Sequence, residues 1–184
     1  LGVLELRAVE APPRADMWLA AAVLFRAIAV RMAERTAQAR GGSVPIADWG
    51  ERLHDEWLLP SFMRADLARV AAEVGLPDGL WDPLLDHRYG VLGVLEAPGV
   101  RCTVRQALEP WPVLGEEPTG ATVSRFVDSS LERLQVRVEG LVPERHQVLV
   151  NGFALPLHPT GRADERVAGV RFRAWQPPHC LQPT

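Results

Sequence analysis

The sequence predicts an α+β fold: an N-terminal strand and a helical half, then a mostly antiparallel β half forming a small sandwich or open barrel. Three observations predict it. Apolar residues recur at helical spacing from Arg14 to about Leu85. From Arg88 onward the period changes to two, the repeat of a strand with one face inward. Turn-forming pairs, Pro98-Gly99 and Asn151-Gly152, punctuate the second half. The organisation read from this is two regions, 1–86 and 87–184.

The elements follow in order. Leu1 to Glu10 alternates, with Glu5 and Arg7 on one face, and Pro12-Pro13 stops the strand. A long helix is expected from about Arg14 to Ala39, with Asp16 near its positive end and Gly41-Gly42 as its stop. It is apolar nearly all round, so burial on two sides is expected, with the second covering layer supplied by sequence not present here. A second helix is read over Ile46–Leu59 with Trp49, Leu53 and Trp57 on one face, ended by Pro60. Ser61 is the expected cap of a third helix running to Val74, with Phe62, Leu67, Val70 and Ala71 inward. Asp78 to Leu85 makes a short turn that buries Trp81, Leu84 and Leu85. Then Tyr89–Leu95 and Arg101–Ala107 form a hairpin, Glu109–Gly120 a loop, Leu131–Glu139 a strand, Val148–Leu157 a hairpin and Val167–Trp175 a last strand.

Composition narrows the function classes. The 184 residues are 47% hydrophobic and 23% charged with net charge −3, which offers no electrostatic case for nucleic acid or an anionic membrane. The apolar stretch Met17–Val30 is interrupted by Arg26 and is too short to span a bilayer. No signal peptide opens the chain, and two cysteines give no disulfide framework, so a cytoplasmic setting is expected. All 20 basic residues are arginine, which excludes Schiff-base, Walker and general-base lysines within this chain. The Ala/Arg/Pro-rich, lysine-free usage suggests a GC-rich bacterial source. Both ends read as cut, so the expectation is a fragment of a larger protein.

Candidate chemistry is sparse. Glu5 and Arg7, two apart on a strand, could grip a phosphate or a carboxylate from one face; the plain alternative is a surface ion pair. His54 and Asp55 are neighbours on a helix about 100° apart, so they cannot chelate one metal side by side. Arg105, Glu109, Trp111, Glu116 and Glu117 crowd a Pro-rich segment, which suits either a recognition surface or a plug between the two halves. Arg133, Arg137, Arg171 and Arg173 form rows that would bind an anion or, in the plainer reading, make solvated pairs with Glu132, Glu139 and Glu165. A thiol triad through Cys102 and His146 has no supporting spacing, and no histidine pair has metal-ligand spacing.

Several strings resemble one family together. They are Leu4-Glu5-Leu6-Arg7-Ala8 leading to Pro12-Pro13, Leu53-His54-Asp55, and Arg105-Gln106-Ala107-Leu108-Glu109-Pro110-Trp111 leading to Leu114-Gly115-Glu116-Glu117. Phe126-Val127-Asp128-Ser129-Ser130, Glu132-Arg133-Leu134-Gln135-Val136, Ala168-Gly169-Val170-Arg171 and Ala174-Trp175-Gln176-Pro177-Pro178 complete the set. They resemble, nearly end to end, the C-terminal region of large bacterial transglutaminase-like or amidoligase proteins. The resemblance implies a parent carboxylate–amine ligase related to the glutamine synthetase fold, using ATP and Mg. It places the metal-binding acids on strands upstream of Leu1. It also implies that Arg7, with Glu5, faces the catalytic site on the sheet's last core strand. His54, Asp55, Arg105, Glu109, Trp111 and Glu116 become candidate substrate-binding residues. The implied partners are the rest of the parent chain and a peptide or protein substrate, with no nucleic acid and no membrane. The chain departs from the family's pattern at Glu56, where an aromatic or basic residue is expected, and at Arg64, where an aromatic is.

Overall fold

The computed structural model describes residues 11–38, 52–110, 113–119, 122–127, 130–142 and 145–174, with the backbone alone at 53, 54 and most of 113–125. The expected strand at Leu1–Glu10 lies outside these residues, as does the start of the expected second helix. The chain divides into two units, Leu1–Ala47 with Ala65–His87, and Asp48–Arg64 with Arg88–Thr184.

The first unit is helical. Helix α1, Ala15–Gln38, starts where the Asp16 carboxylate accepts the Met17 N–H at 3.0 Å. A carboxylate there also suits the positive end of the helix. Met17, Ala20, Ala21 and Leu24 are its buried stripe, spaced i, i+3, i+4, i+7. The other side is open, with Trp18 50% and Leu19 64% exposed. One face therefore packs and the opposite face meets solvent, so the described residues do not supply the expected second covering layer. The C-terminal part of the third helix supplies buried Ala71 and stops at Gly75. Gly75 has φ +72, and the Leu76 N–H reaches back to the Ala71 carbonyl at 2.9 Å, a left-handed C-cap that favours glycine. Trp81 and Leu85 are buried at the start of the last helix, Asp82–Arg88.

The second unit is a sheet with a short helical segment. Helix α2 is described over Arg52–Asp55 and ends short of the Leu59 expected as its close. The break has a local cause, since Leu58 adopts φ +64, outside the helical basin. Helix α3 then runs Pro60–Val74. Proline takes its first position, where the missing N–H costs nothing. The sequence places the cap at Ser61; instead the Ser61 N–H is met by the Gln135 side-chain oxygen at 2.9 Å.

Thirteen elements follow one another among the described residues, the four helices ending with α4 (Asp82–Arg88). Strands β1 (Val91–Ala97), β2 (Val100–Ala107), β5 (Leu131–Glu139), β8 (His158–Pro159) and β9 (Glu165–Arg173) form one sheet in the order β1-β2-β5-β9-β8. All its pairings are antiparallel. It stays open rather than closing into a barrel, so the predicted α+β class holds. Strands β3 (Val113–Thr119) and β4 (Thr122–Val127) make a separate ribbon, where a loop was expected over Glu109–Gly120. Strands β6 (Leu149–Val150) and β7 (Phe153–Ala154) flank Asn151 and Gly152, at φ 51 and 84. Two consecutive positive φ values are what a tight two-residue hairpin needs, and Asn-Gly supplies them.

Both faces of the central strands are buried. Val136, Val138 and Ala168 line one, as alternation predicts. The other carries Thr103, Arg133, Gln135 and Glu165, all buried. Residues 55–62 cover part of that polar face, with Leu59, Ala107 and Val167 in one buried cluster and Phe62 packed on it.

Candidate functional site

The polar face is built in rows by the strand registers. Ala107, Arg133 and Arg171 stand side by side, and Arg105, Gln135 and Gly169 form the next row. Two guanidiniums directly opposite each other repel. Glu109, just past the end of β2, answers both: Arg171 Nε donates to its Oε1 at 2.8 Å, and Arg133 Nε lies 3.6 Å from its Oε2. The Arg133 and Glu109 side chains are 1% and 2% exposed, while Arg171 is 38% exposed. The arrangement is one buried acid between a buried and a half-exposed cation.

Arg133 does more than pair with Glu109. Its Nε donates to the Leu108 carbonyl at 2.8 Å and an NH2 group donates to the Trp57 carbonyl. A planar fork of donors meets two carbonyls while its charge lies beside a carboxylate oxygen that accepts no hydrogen bond, which a lysine cannot copy. In the next row Gly169 leaves room for the covering segment. A Cβ added there would lie 3.2 Å from Arg133 Cδ, 3.3 Å from Leu59 Cδ2 and 3.5 Å from the Asp55 carbonyl. Burial pulls the Arg133 guanidinium below its ordinary value; Glu109 pushes it back up and Arg171 pulls it further down. Burial likewise pushes the Tyr89 phenol up, against smaller pulls from Arg88 and Arg133.

The sequence-predicted residues fall unevenly. Glu5, Arg7 and Trp111 lie outside the described residues, as do the His54 and Glu116 side chains. Asp55 is exposed, and its charge acts on Arg133. Arg105 donates from NH1 to the Tyr89 carbonyl at 3.2 Å and stands opposite Gln135. Glu109 is taken up inside the fold by Arg133 and Arg171. Sequence reasoning read Arg133 as a solvated partner of Glu132, Glu139 or Glu165. That reading holds for Arg137, which pairs with Glu139 at 3.2 Å and Glu165 at 3.7 Å. It fails for Arg133, which is buried against Glu109. The available signal was Gly169 in a strand beside two facing arginines, since a strand glycine often marks a close approach of another backbone.

Other chemistry is limited among the described residues. Cys102 is half-buried between Leu95 and Val138 in the ladder, and burial pushes its thiol up, away from the thiolate a nucleophile needs. The His146 Nδ1 accepts the Val142 N–H at 3.0 Å, and His158 Nδ1 lies 3.5 Å from Glu56 Oε1. No group of three His, Cys, Asp or Glu side chains that could hold a metal ion occurs among the described residues. No helix among them is long and apolar enough to cross a membrane.

The family model described as "Putative amidoligase enzyme (DUF2126)" matches residues 1–184, so the chain belongs to that family. No curated protein and no solved structure matches it.

Proposed function

We propose that this chain is the C-terminal part of an ATP-dependent carboxylate–amine ligase and is inactive alone. The observation that carries the reading is the amidoligase family match over the whole chain. In such a reaction ATP phosphorylates a carboxylate oxygen. The amine then attacks the acyl carbon and phosphate leaves, so charge develops where a guanidinium fork stabilises it. Arg7 is proposed to hold the acyl phosphate or the substrate carboxylate, with Glu5 beside it. The 1–86 region is read as the end of a glutamine-synthetase-like domain and 87–184 as an appended β module. The described residues do not supply a magnesium site, and none of the chemistry is assigned to a metal held by them. The parent is proposed to act in the bacterial cytoplasm.

Within this reading Glu109 and Arg133 are positioning residues. They hold the 55–62 segment on the sheet and leave Arg105, Asp55 and Arg171 toward the outside. The test uses the parent protein, following amine-dependent phosphate release from ATP. Arg7→Ala is expected to lower kcat by about 100-fold or more, the scale of losing one preorganised charge-stabilising group. Full activity in that variant would overturn the role of Arg7.

A second reading is favoured by one observation. Phe153 is 77% exposed on the β6–β7 hairpin, and Phe126 is 53% exposed on β4. Exposed aromatics on the β ribbons suit a non-catalytic module that presents a peptide or protein to a neighbouring ligase or transglutaminase-like domain. On that reading Phe153→Ser and Arg173→Gln raise the KM of the parent for a polypeptide substrate while kcat stays unchanged.

A further inference from the structure

An open groove of about 530 Å³ runs along α1 within the first unit. That volume falls in the range of small-molecule sites. Val23, Ala27, Val30 and Glu34 line it from α1, spaced so that they share one stripe. Val74, Gly75 and Leu76 line the other wall. Arg26 and Arg31 flank the stripe on its two sides, about 140° apart around the helix at 100° per residue.

Arg26 and Arg31 balance Glu34 and Glu73 within the lining, and Arg35 beside it adds one further guanidinium. Glu34 faces Arg31 at 3.4 Å. Glu73 is held by Arg35. Arg26 is exposed and has no acid partner among the described residues. The Nε of Arg31 is buried with no hydrogen-bond acceptor. The floor is aliphatic and the surplus is a single positive charge.

We propose that this groove binds a small amphipathic monocarboxylate. Its aliphatic chain lies along Val23, Ala27, Val30, Val74 and Leu76, and its carboxylate meets Arg26 at the edge of the groove. One negative charge cancels the surplus, whereas a phosphate dianion would sit uncompensated near Glu34 and Glu73. The site is distinct from the sheet cluster and does not depend on the ligase reading.

The test titrates the 184-residue chain with octanoate, butanoate, octanol and octylamine, by calorimetry and by amide chemical shifts. Saturable octanoate binding is expected, at least tenfold tighter than butanoate and octanol, with no binding of octylamine. Arg26→Gln lies on an exposed position and keeps the fold. It is expected to weaken octanoate about tenfold or more and leave octanol unchanged, the scale of one charge-assisted bond. Ala27→Glu, which puts a carboxylate in the floor, is expected to abolish octanoate binding. Equal affinity for octanoate and octanol, no saturable octanoate binding, or an Arg26→Gln variant that titrates like the parent sequence would each overturn the proposal.

Discussion

At the scale of single residues, Glu109 carries the largest burden. It sits between two guanidiniums that the strand register forces to face each other, and its side chain is 2% exposed. Removing one partner of a buried charged set leaves the rest uncompensated, which typically costs about 3–5 kcal/mol. Glu109→Gln is therefore expected to lower the unfolding free energy by that amount, read as a lower urea midpoint at unchanged m. The double variant Glu109→Gln with Arg171→Met is expected to recover part of the loss, because the repulsion that Glu109 relieves is gone. Strict additivity of the two single effects would show that Glu109 answers Arg133 alone. Tyr89 supplies a second residue-scale prediction. Burial holds its phenol above the ordinary value of 10.0. The folded state thus keeps a proton that the unfolded chain has lost, and stability falls as pH rises. The contribution is complete below about pH 10 and disappears as pH climbs through the higher folded value. Measured between pH 9 and 11.5, the stability of the native sequence is expected to drop more steeply than that of Tyr89→Phe.

Two glycines test the elements. Gly140 follows β5 at φ +75, its N–H bonds the Asp164 carbonyl at 2.9 Å, and a Cβ there would lie 2.1 Å from the Gly99 carbonyl oxygen. The obstacle is backbone, so the turn itself must move. Gly169 has ordinary φ and a Cβ would meet side-chain atoms at 3.2 Å and 3.3 Å, which can shift by tenths of an ångström. Gly169→Ala is expected to cost about 1–3 kcal/mol, the usual range for overpacking, and Gly140→Ala more. Chemical denaturation of both variants checks the order; a reversed order would mean that the covering segment is less yielding than the turn. These contacts also mark what the sequence could express. Strand β5 was legible because Leu134, Val136 and Val138 alternate with polar residues, and the β6–β7 turn because Asn-Gly favours positive φ. The cover over the polar face was not legible. Ser61 and Gln135 are 74 positions apart, and Trp57 and Arg133 are 76 apart, so no local period links them. Alternation normally pairs a polar face with water, and it reports a buried polar face identically. The β3 strand was hidden for a related reason, since Gly115 and Pro118 read as loop chemistry while the pairing with β4 overrides it. Of the candidate site, Glu109 and Arg105 stand out in the sequence by local crowding and by the family-like string they share; the register that gives them partners is a long-range property.

For the whole molecule, the sheet's edge decides solution behaviour. Strand β1 is exposed at all seven positions, with Val91 51%, Leu92 56%, Val94 40% and Leu95 68% exposed. It stands at the end of the sheet order, so its outer backbone donors and acceptors meet no further strand among the described residues. Natural sheets block such edges with lysine, proline, inward charges or bulges. This chain contains no lysine, and β1 carries one charge, Glu96, which is engaged with Arg101 at 3.7 Å. Its irregularity between Val91 and Gly93 blocks only the first residues. The remaining run Gly93-Val94-Leu95 is apolar and unguarded, and the net charge of −3 gives weak repulsion between copies. Self-association through this edge is the expected result at high concentration. Leu95→Lys places a flexible charge on the most exposed side chain of the strand and removes no packed contact, so its effect on folding stability should stay within about 0.5 kcal/mol. Light scattering across a concentration series should then show the native sequence growing in apparent mass while Leu95→Lys stays constant. Identical mass curves for the two, at matched folding stability, would place the association elsewhere on the surface and leave β1 guarded by its geometry alone.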